Sequence, residues 1–130
     1  MNTIQEEIQM NAVPENAVIR PWGWYVTTLE MPGYKTKVLM VKPGSRLSLQ
    51  SHARRREMWS VVKGEGLCTV GANIIQVASN SFISVPQGAK HRLENTSATD
   101  ELLVAEVQIG DYLEEDDIVR YEDDYGREGK

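Results

Sequence analysis

Four side chains in this sequence have the types and spacing to hold one metal ion: Gln50, His52, Glu57 and His91. The chain contains only 2 histidines, and each stands where an apolar run meets a turn-rich segment. Gln50 and His52 are two positions apart, so in an extended strand both face the same side. Glu57 opens the next apolar run, and His91 opens another just beyond Pro86-Gln87-Gly88. An amide oxygen, two imidazoles and a carboxylate form a mixed nitrogen and oxygen set. Such a set suits one divalent Zn, Mn, Co, Ni or Fe ion and suits Cu(I) poorly. With about five or six ligands in all, four from the protein leave room for substrate oxygens. The plainer alternative is that the two histidines cap strand ends and hydrogen-bond locally.

The elements that must position these groups read as short strands broken by turn signals. Strands are expected at 25–29, 34–41, 47–50, 58–62, 67–70, 74–77, 82–85, 91–95, 102–109 and 118–121. Met31-Pro32-Gly33, Lys42-Pro43-Gly44, Gly71-Ala72-Asn73 and Pro86-Gln87-Gly88 turn the chain between them. Asp111 with Glu114 three residues on has the form of a capping box, so a single helical turn is expected within 114–120. Strands at this spacing without a long helix imply an all-β sandwich or barrel. A chain of 130 residues, 41% hydrophobic, is enough for one compact domain. Residues 1–19 read as an N-terminal arm, and 20–127 as the domain.

The formal charge of -5 argues against nucleic acid and anionic membranes as partners. Charge is nonetheless uneven. Residues 35–63 are rich in Lys and Arg, whereas residues 111–124 include eight acidic groups. The basic stretch suits a small anionic ligand, or it pairs with the acidic stretch as an ordinary surface. The single cysteine, Cys68, forms no intrachain disulfide and points to a reducing compartment. The first ten residues lack the apolar run of a signal peptide, and no segment is long enough to span a bilayer. A cytoplasmic location is therefore expected.

The spacing of Gly44, Gln50, His52, Glu57 and Gly64, with Pro86, Gly88, His91 and Asn95 after it, resembles the two signature motifs of the cupin superfamily. Gln50 stands in the place of the first histidine and Asn80 in the place of a glycine. The implied fold is a single-domain cupin, the double-stranded β-helix or jelly-roll barrel. The resemblance goes further. Arg20-Pro21-Trp22-Gly23, Leu47-Ser48-Leu49-Gln50, Glu57-Met58-Trp59 and His91-Arg92-Leu93-Glu94-Asn95 occur in order. Glu106-Val107-Gln108-Ile109-Gly110-Asp111-Tyr112-Leu113, Glu115-Asp116-Asp117-Ile118-Val119-Arg120 and Asp124-Tyr125-Gly126-Arg127 follow them. The series is similar to the C-terminal isomerase domain of type II phosphomannose isomerases, usually fused to a mannose-1-phosphate guanylyltransferase. No Gly-rich nucleotide loop occurs here, so the guanylyltransferase activity is not implied. Ala53, Arg54 and Met58 stand where that family commonly has histidines.

The resemblance implies interconversion of mannose 6-phosphate and fructose 6-phosphate, with Gln50, His52, Glu57 and His91 as metal ligands. Such chemistry moves a proton between neighbouring carbons and needs a base. Glu106 is the candidate: it alternates with Leu102, Val104 and Gln108 on one strand face, which points either into the barrel or to water. A phosphate needs cations, and Lys37, Arg54, Arg92 and Arg120 are the candidates. Arg55 and Arg56 read as a solvated basic turn. Trp22, Trp24 and Trp59 read as core or interface rather than sugar platforms. A non-catalytic cupin binding a sugar or sugar nucleotide, and another metal cupin enzyme such as a dioxygenase or epimerase, are the competing expectations. Small cupins pair through sheet edges, so a homodimer is expected, with residues 4–13 available as an added strand.

Overall fold

The computed structural model describes residues 13–127. The expectation of an added strand from the arm therefore falls almost wholly outside the described residues. Eleven strands and no helix are found among them. They are β1 (Val18–Arg20), β2 (Gly23–Met31), β3 (Tyr34–Val41), β4 (Leu49–Ser51), β5 (Arg55–Lys63), β6 (Glu65–Val70), β7 (Asn73–Ala78), β8 (Phe82–Val85), β9 (His91–Asn95), β10 (Leu102–Gly110) and β11 (Val119–Glu122). Two sheets form, in the orders β1-β2-β3-β10-β5-β8 and β11-β4-β9-β6-β7, with every pairing antiparallel. Their facing sides enclose one core, the double-stranded β-helix of a cupin.

Strand alternation explains what lies inside. In β10 the buried residues are Leu102, Val104, Glu106 and Gln108, every second position. The register sets Val104 beside Leu39 of β3 and Val61 of β5. One step along, Glu106 lies beside Lys37 and Trp59; the next step sets Gln108 beside Lys35 and Glu57. The interior is thus graded along three strands, apolar at one end and polar at the other. At the apolar end Val41, Leu93, Leu102 and Val104 are at most 1% exposed, and burying each such side chain contributes about 1.5–3 kcal/mol. Cys68 lies in this core, where burial pushes its thiol up to about 12 and keeps it unreactive.

Two expectations are corrected. The strand expected to start at 58 starts at Arg55, so the basic turn at 54–56 is partly strand. Arg55 shares the inward parity of Glu57, Trp59 and Val61 and is 5% exposed. The helical turn within 114–120 is absent. Leu113, Glu114 and Asp117 give their carbonyls to Lys35, Arg55 and His52 on the barrel. A helix would need such carbonyls for itself. What remains locally is one bond from Asp117 N to the Glu114 carbonyl, and the Asp111 carboxylate takes Arg54 instead of capping.

Residues 111–124 therefore act as a strap across one end of the barrel. Lys37–Glu115, Arg46–Asp124 and Arg54–Asp111 join it to the basic stretch of the sequence, and Arg92–Glu122 joins it to β9. Of the two readings of charge asymmetry, pairing accounts for Lys37, Arg46, Arg54 and Arg55 of the basic stretch. At Asn80 the backbone takes φ 77°, a left-handed turn that glycine and asparagine accept with least strain, and its N–H reaches the Val61 carbonyl.

Candidate metal centre

His52, Glu57 and His91 converge at the polar end, each at most 5% exposed, with one ligand atom from each lying within 4.8 Å of the others. His52 Nε2 stands 3.2 Å from Glu57 Oε2, and His91 Nε2 stands 3.5 Å from Glu57 Oε1. They come from three places in the chain. Glu57 is on β5, His91 opens β9, and His52 follows β4. Gln50 on β4 lies opposite His91 in the sheet register and lines the same cavity.

The rings are oriented from behind. His52 Nδ1–H donates to the Asp117 carbonyl at 2.6 Å, and His91 Nδ1–H donates to the Ala89 carbonyl at 3.0 Å. Both imidazoles therefore turn an Nε2 lone pair inward, the arrangement that a bound cation uses. Burial, then the Arg55 charge, lowers His52 to about 4. Burial also lowers His91. Both rings are thus neutral near pH 7. His91 Nε2 is buried with no hydrogen-bond partner, a costly arrangement in a protein interior. An inward lone pair without a donor, two carboxylate oxygens and a second imidazole fit a divalent ion well.

Glu106 faces inward, which decides between its two readings. It is 5% exposed, with Oε2 accepting from Trp59 Nε1 at 3.0 Å and Oε1 from Gln108 Nε2 at 2.7 Å. Burial, reinforced by the nearby Glu57 charge, pushes it up to about 7 against the pull of Lys37 and Arg55. Trp59 also meets His91 edge-on at 5.5 Å, so the indole links the carboxyl to the histidine cluster. Trp22 and Trp59 belong to the core and also border the cavity, and Trp24 is buried.

The four expected phosphate partners divide into two pairs. Lys37 and Arg120 line the cavity; Arg54 and Arg92 do not. Arg54 is exposed just before β5 and reaches the strap, paired with Asp111 and lying 4.8 Å over the Tyr112 ring. Arg92 is one residue from His91 and so lies on the opposite sheet face. It is held there by the Leu47 carbonyl, the Glu122 carboxylate and the Glu122 carbonyl. Lys37 donates to Glu115 Oε2 at 2.9 Å and sits 4.3 Å over Tyr25. Arg120 lies opposite Gln50 in the β11–β4 register. Burial first, then the nearby Arg127 and Arg20 charges, lowers its pKa. Arg20, Arg55 and Arg127 also line the cavity, unexpected from the sequence. The inward parity of Arg55 with Glu57 was the available signal; nothing comparable marked the other two.

The positions lacking the family's histidines lie outside this cavity. Ala53 and Arg54 are exposed, and Met58 has the opposite parity to Glu57 and Trp59 on β5. Their side chains remove nothing from its interior.

Fold and site together define a cupin-type barrel with a buried His/Glu/His cluster. The sequence profile described as mannose-6-phosphate isomerase C-terminal matches residues 6–123, and the chain belongs to that family. It is 44% identical over 110 residues to mannose-1-phosphate guanylyltransferase ManC of Salmonella typhimurium, covering 85% of this chain and 23% of that protein. It is 40% identical over 128 residues to the alginate biosynthesis protein AlgA of Pseudomonas putida, covering 98% of this chain and 26% of that protein. The chain thus spans about a quarter of the length of these relatives. The Cnp3 cupin domain of Schizosaccharomyces pombe superposes with a TM-score of 0.66 at 13% identity, covering 71% of this chain and 67% of that one. At that identity the likeness concerns the fold alone. Among the described residues no helix is long and apolar enough to cross a membrane.

Proposed function

We propose that the chain is a metal-dependent sugar-phosphate isomerase interconverting mannose 6-phosphate and fructose 6-phosphate. The observation that carries this reading is the adjacency of two chemistries in one cavity. A cluster suited to a divalent ion lies beside a buried carboxyl whose pKa is raised to about 7. Gln50, His52, Glu57 and His91 would hold the ion, which when bound supplies Lewis-acid polarisation of the sugar carbonyl. Glu106 takes the proton from one carbon and returns it to its neighbour. Its raised pKa lets one group both accept and release a proton near neutrality. The Trp59 and Gln108 donors fix the carboxyl plane, and Lys37 and Arg120, with Arg20 and Arg127 beside them, attract the phosphate.

Binding without turnover would be the better reading if the cavity lacked a proton acceptor. Glu106 supplies one, and the missing histidines belong to positions outside the interior. A free thiol and a phosphorylated substrate accord with a cytoplasmic setting. Exposed Ile74 on β7 and Phe82 on β8, each at a sheet edge, accord with a homodimer, to be checked by light scattering.

The test is a coupled assay for fructose 6-phosphate formation with added Zn, Mn or Co. Metal-dependent turnover is expected. Saturable sugar-phosphate binding without turnover would move the assignment to a binding cupin, and Fe-dependent oxygen uptake would move it to an oxygenase.

A further inference from the structure

One buried cation of the site is used neither as a ligand nor in proton transfer. Arg55 opens β5 opposite Gly110 of β10, and that glycine is needed. A Cβ there would run into the Arg54 carbonyl and the Arg55 backbone, so only a bare backbone lets β5 start this close. Arg55 is consequently drawn inside, with its side chain 4% exposed. Its Nε donates to Glu57 Oε2 at 3.0 Å and its Nη2 to His52 Nε2 at 3.2 Å. On its far side Nη1 reaches the Glu114 carbonyl at 3.4 Å and lies 3.9 Å from Glu115 Oε2.

These contacts set up a conflict. The Nδ1–H of His52 is committed to Asp117, so Nε2 carries a single in-plane lone pair. That pair accepts a hydrogen bond from Arg55 or binds a metal ion, but not both. Imidazole nitrogen and carboxylate oxygen bind first-row ions at about 2.0–2.2 Å, so two of them on one ion stand about 3 Å apart. His52 Nε2 and Glu57 Oε2 already stand at 3.2 Å, and the guanidinium spans the same two atoms. A fixed positive charge beside the pair also opposes a divalent cation by simple repulsion.

We propose that Arg55 is a built-in competitor for the metal: a divalent ion enters when the guanidinium gives up His52 Nε2 and turns toward Glu114 and Glu115 on the strap. Arg55 thereby sets the metal affinity and restricts loading to ions that imidazole binds strongly. The inference rests on the metal-site reading above. It assigns to Arg55 a positioning role, distinct from ligation and from proton transfer.

The experiment measures Mn and Co affinity by titration calorimetry in the parent protein, Arg55→Met and Arg55→Lys. The Met variant retains the bulk of the side-chain stem without charge or donors. At least tenfold tighter binding is expected in Arg55→Met, with a smaller gain in Arg55→Lys. Equal or weaker binding by a folded Arg55→Met overturns the proposal, since Arg55 would then serve mainly to hold Glu57 in place. If neither the parent nor a folded Arg55→Met binds either ion, both this proposal and the metal-site reading fall, which separates the two failures. Should the variants not fold, the parent itself decides by nitrogen NMR. Zn addition is expected to shift the Arg55 Nε–H and His52 Nε2 signals together. Zn binding that moves His52 and leaves Arg55 in place overturns the proposal.

Discussion

The two ends of β3, β5 and β10 are almost equally buried and entirely unlike. At one end Val41, Val61, Leu102 and Val104 pack without a polar atom among their side chains. At the other, Lys35, Lys37, Arg55, Glu57, Glu106 and Gln108 are no more than 6% exposed. Apolar burial needs shape only, whereas each buried polar group costs free energy unless it is paired. The polar end meets most of that demand with directional bonds from the strap and from neighbouring strands, and leaves His91 Nε2 and Gln108 Oε1 without a hydrogen bond. Apolar packing and the candidate metal cluster are therefore separated by position along the same strands, and substitutions at the two ends should have different signatures.

The largest effect is expected from His52→Ala, which should reduce bound metal from one ion per chain to near zero by elemental analysis and abolish metal-dependent turnover. Retention of the full metal content would break the comparison at once. Glu106→Gln comes next. It should retain the metal and lower turnover by about 10²–10⁴-fold, as expected for loss of a general base. Leu102→Ala should do the reverse: it should cost about 2–5 kcal/mol in denaturant unfolding while metal stoichiometry in the folded fraction stays unchanged.

A smaller effect sharpens the polar side of the comparison. The folded chain raises Glu106 from 4.5 to about 7, so the native state holds this proton more tightly than the unfolded chain does. Its contribution to stability is complete below pH 4.5 and is lost as pH rises through 7. In melts of the metal-free protein, Glu106→Gln should therefore gain on the parent across that window; a constant difference between them would show that Glu106 is not raised. The smallest effect is assigned to Arg54→Ala. With its charge exposed, outside the cavity and held by Asp111 and the Tyr112 ring, it should leave Tm and KM for the sugar phosphate nearly unchanged, whereas Lys37→Ala should raise KM.

The sequence made the barrel legible because strand period and Pro-Gly turns are local signals. The His/Glu/His cluster was legible because motif spacing marks strand starts. Strand parity also sorts the arginines. Arg55 shares the parity of Glu57 and faces in, whereas Arg92 is one step from His91 and faces out. The real start of β5 at Arg55 was hidden by three consecutive arginines, whose charge suggests solvent more strongly than their alternation suggests a strand. Other features were unreadable for a physical reason. Asp117 orients His52 through a backbone carbonyl, a group every residue carries, so no side-chain type announces the contact. Arg20 and Arg127 reach the cavity through tertiary closure, which has no local period.

That one carbonyl couples two parts of the chain that fold for different reasons. The proton position on His52 is dictated by a segment 65 residues downstream that contributes little to the apolar core. A change in the strap would thus release the His52 ring while leaving the apolar core of the barrel intact.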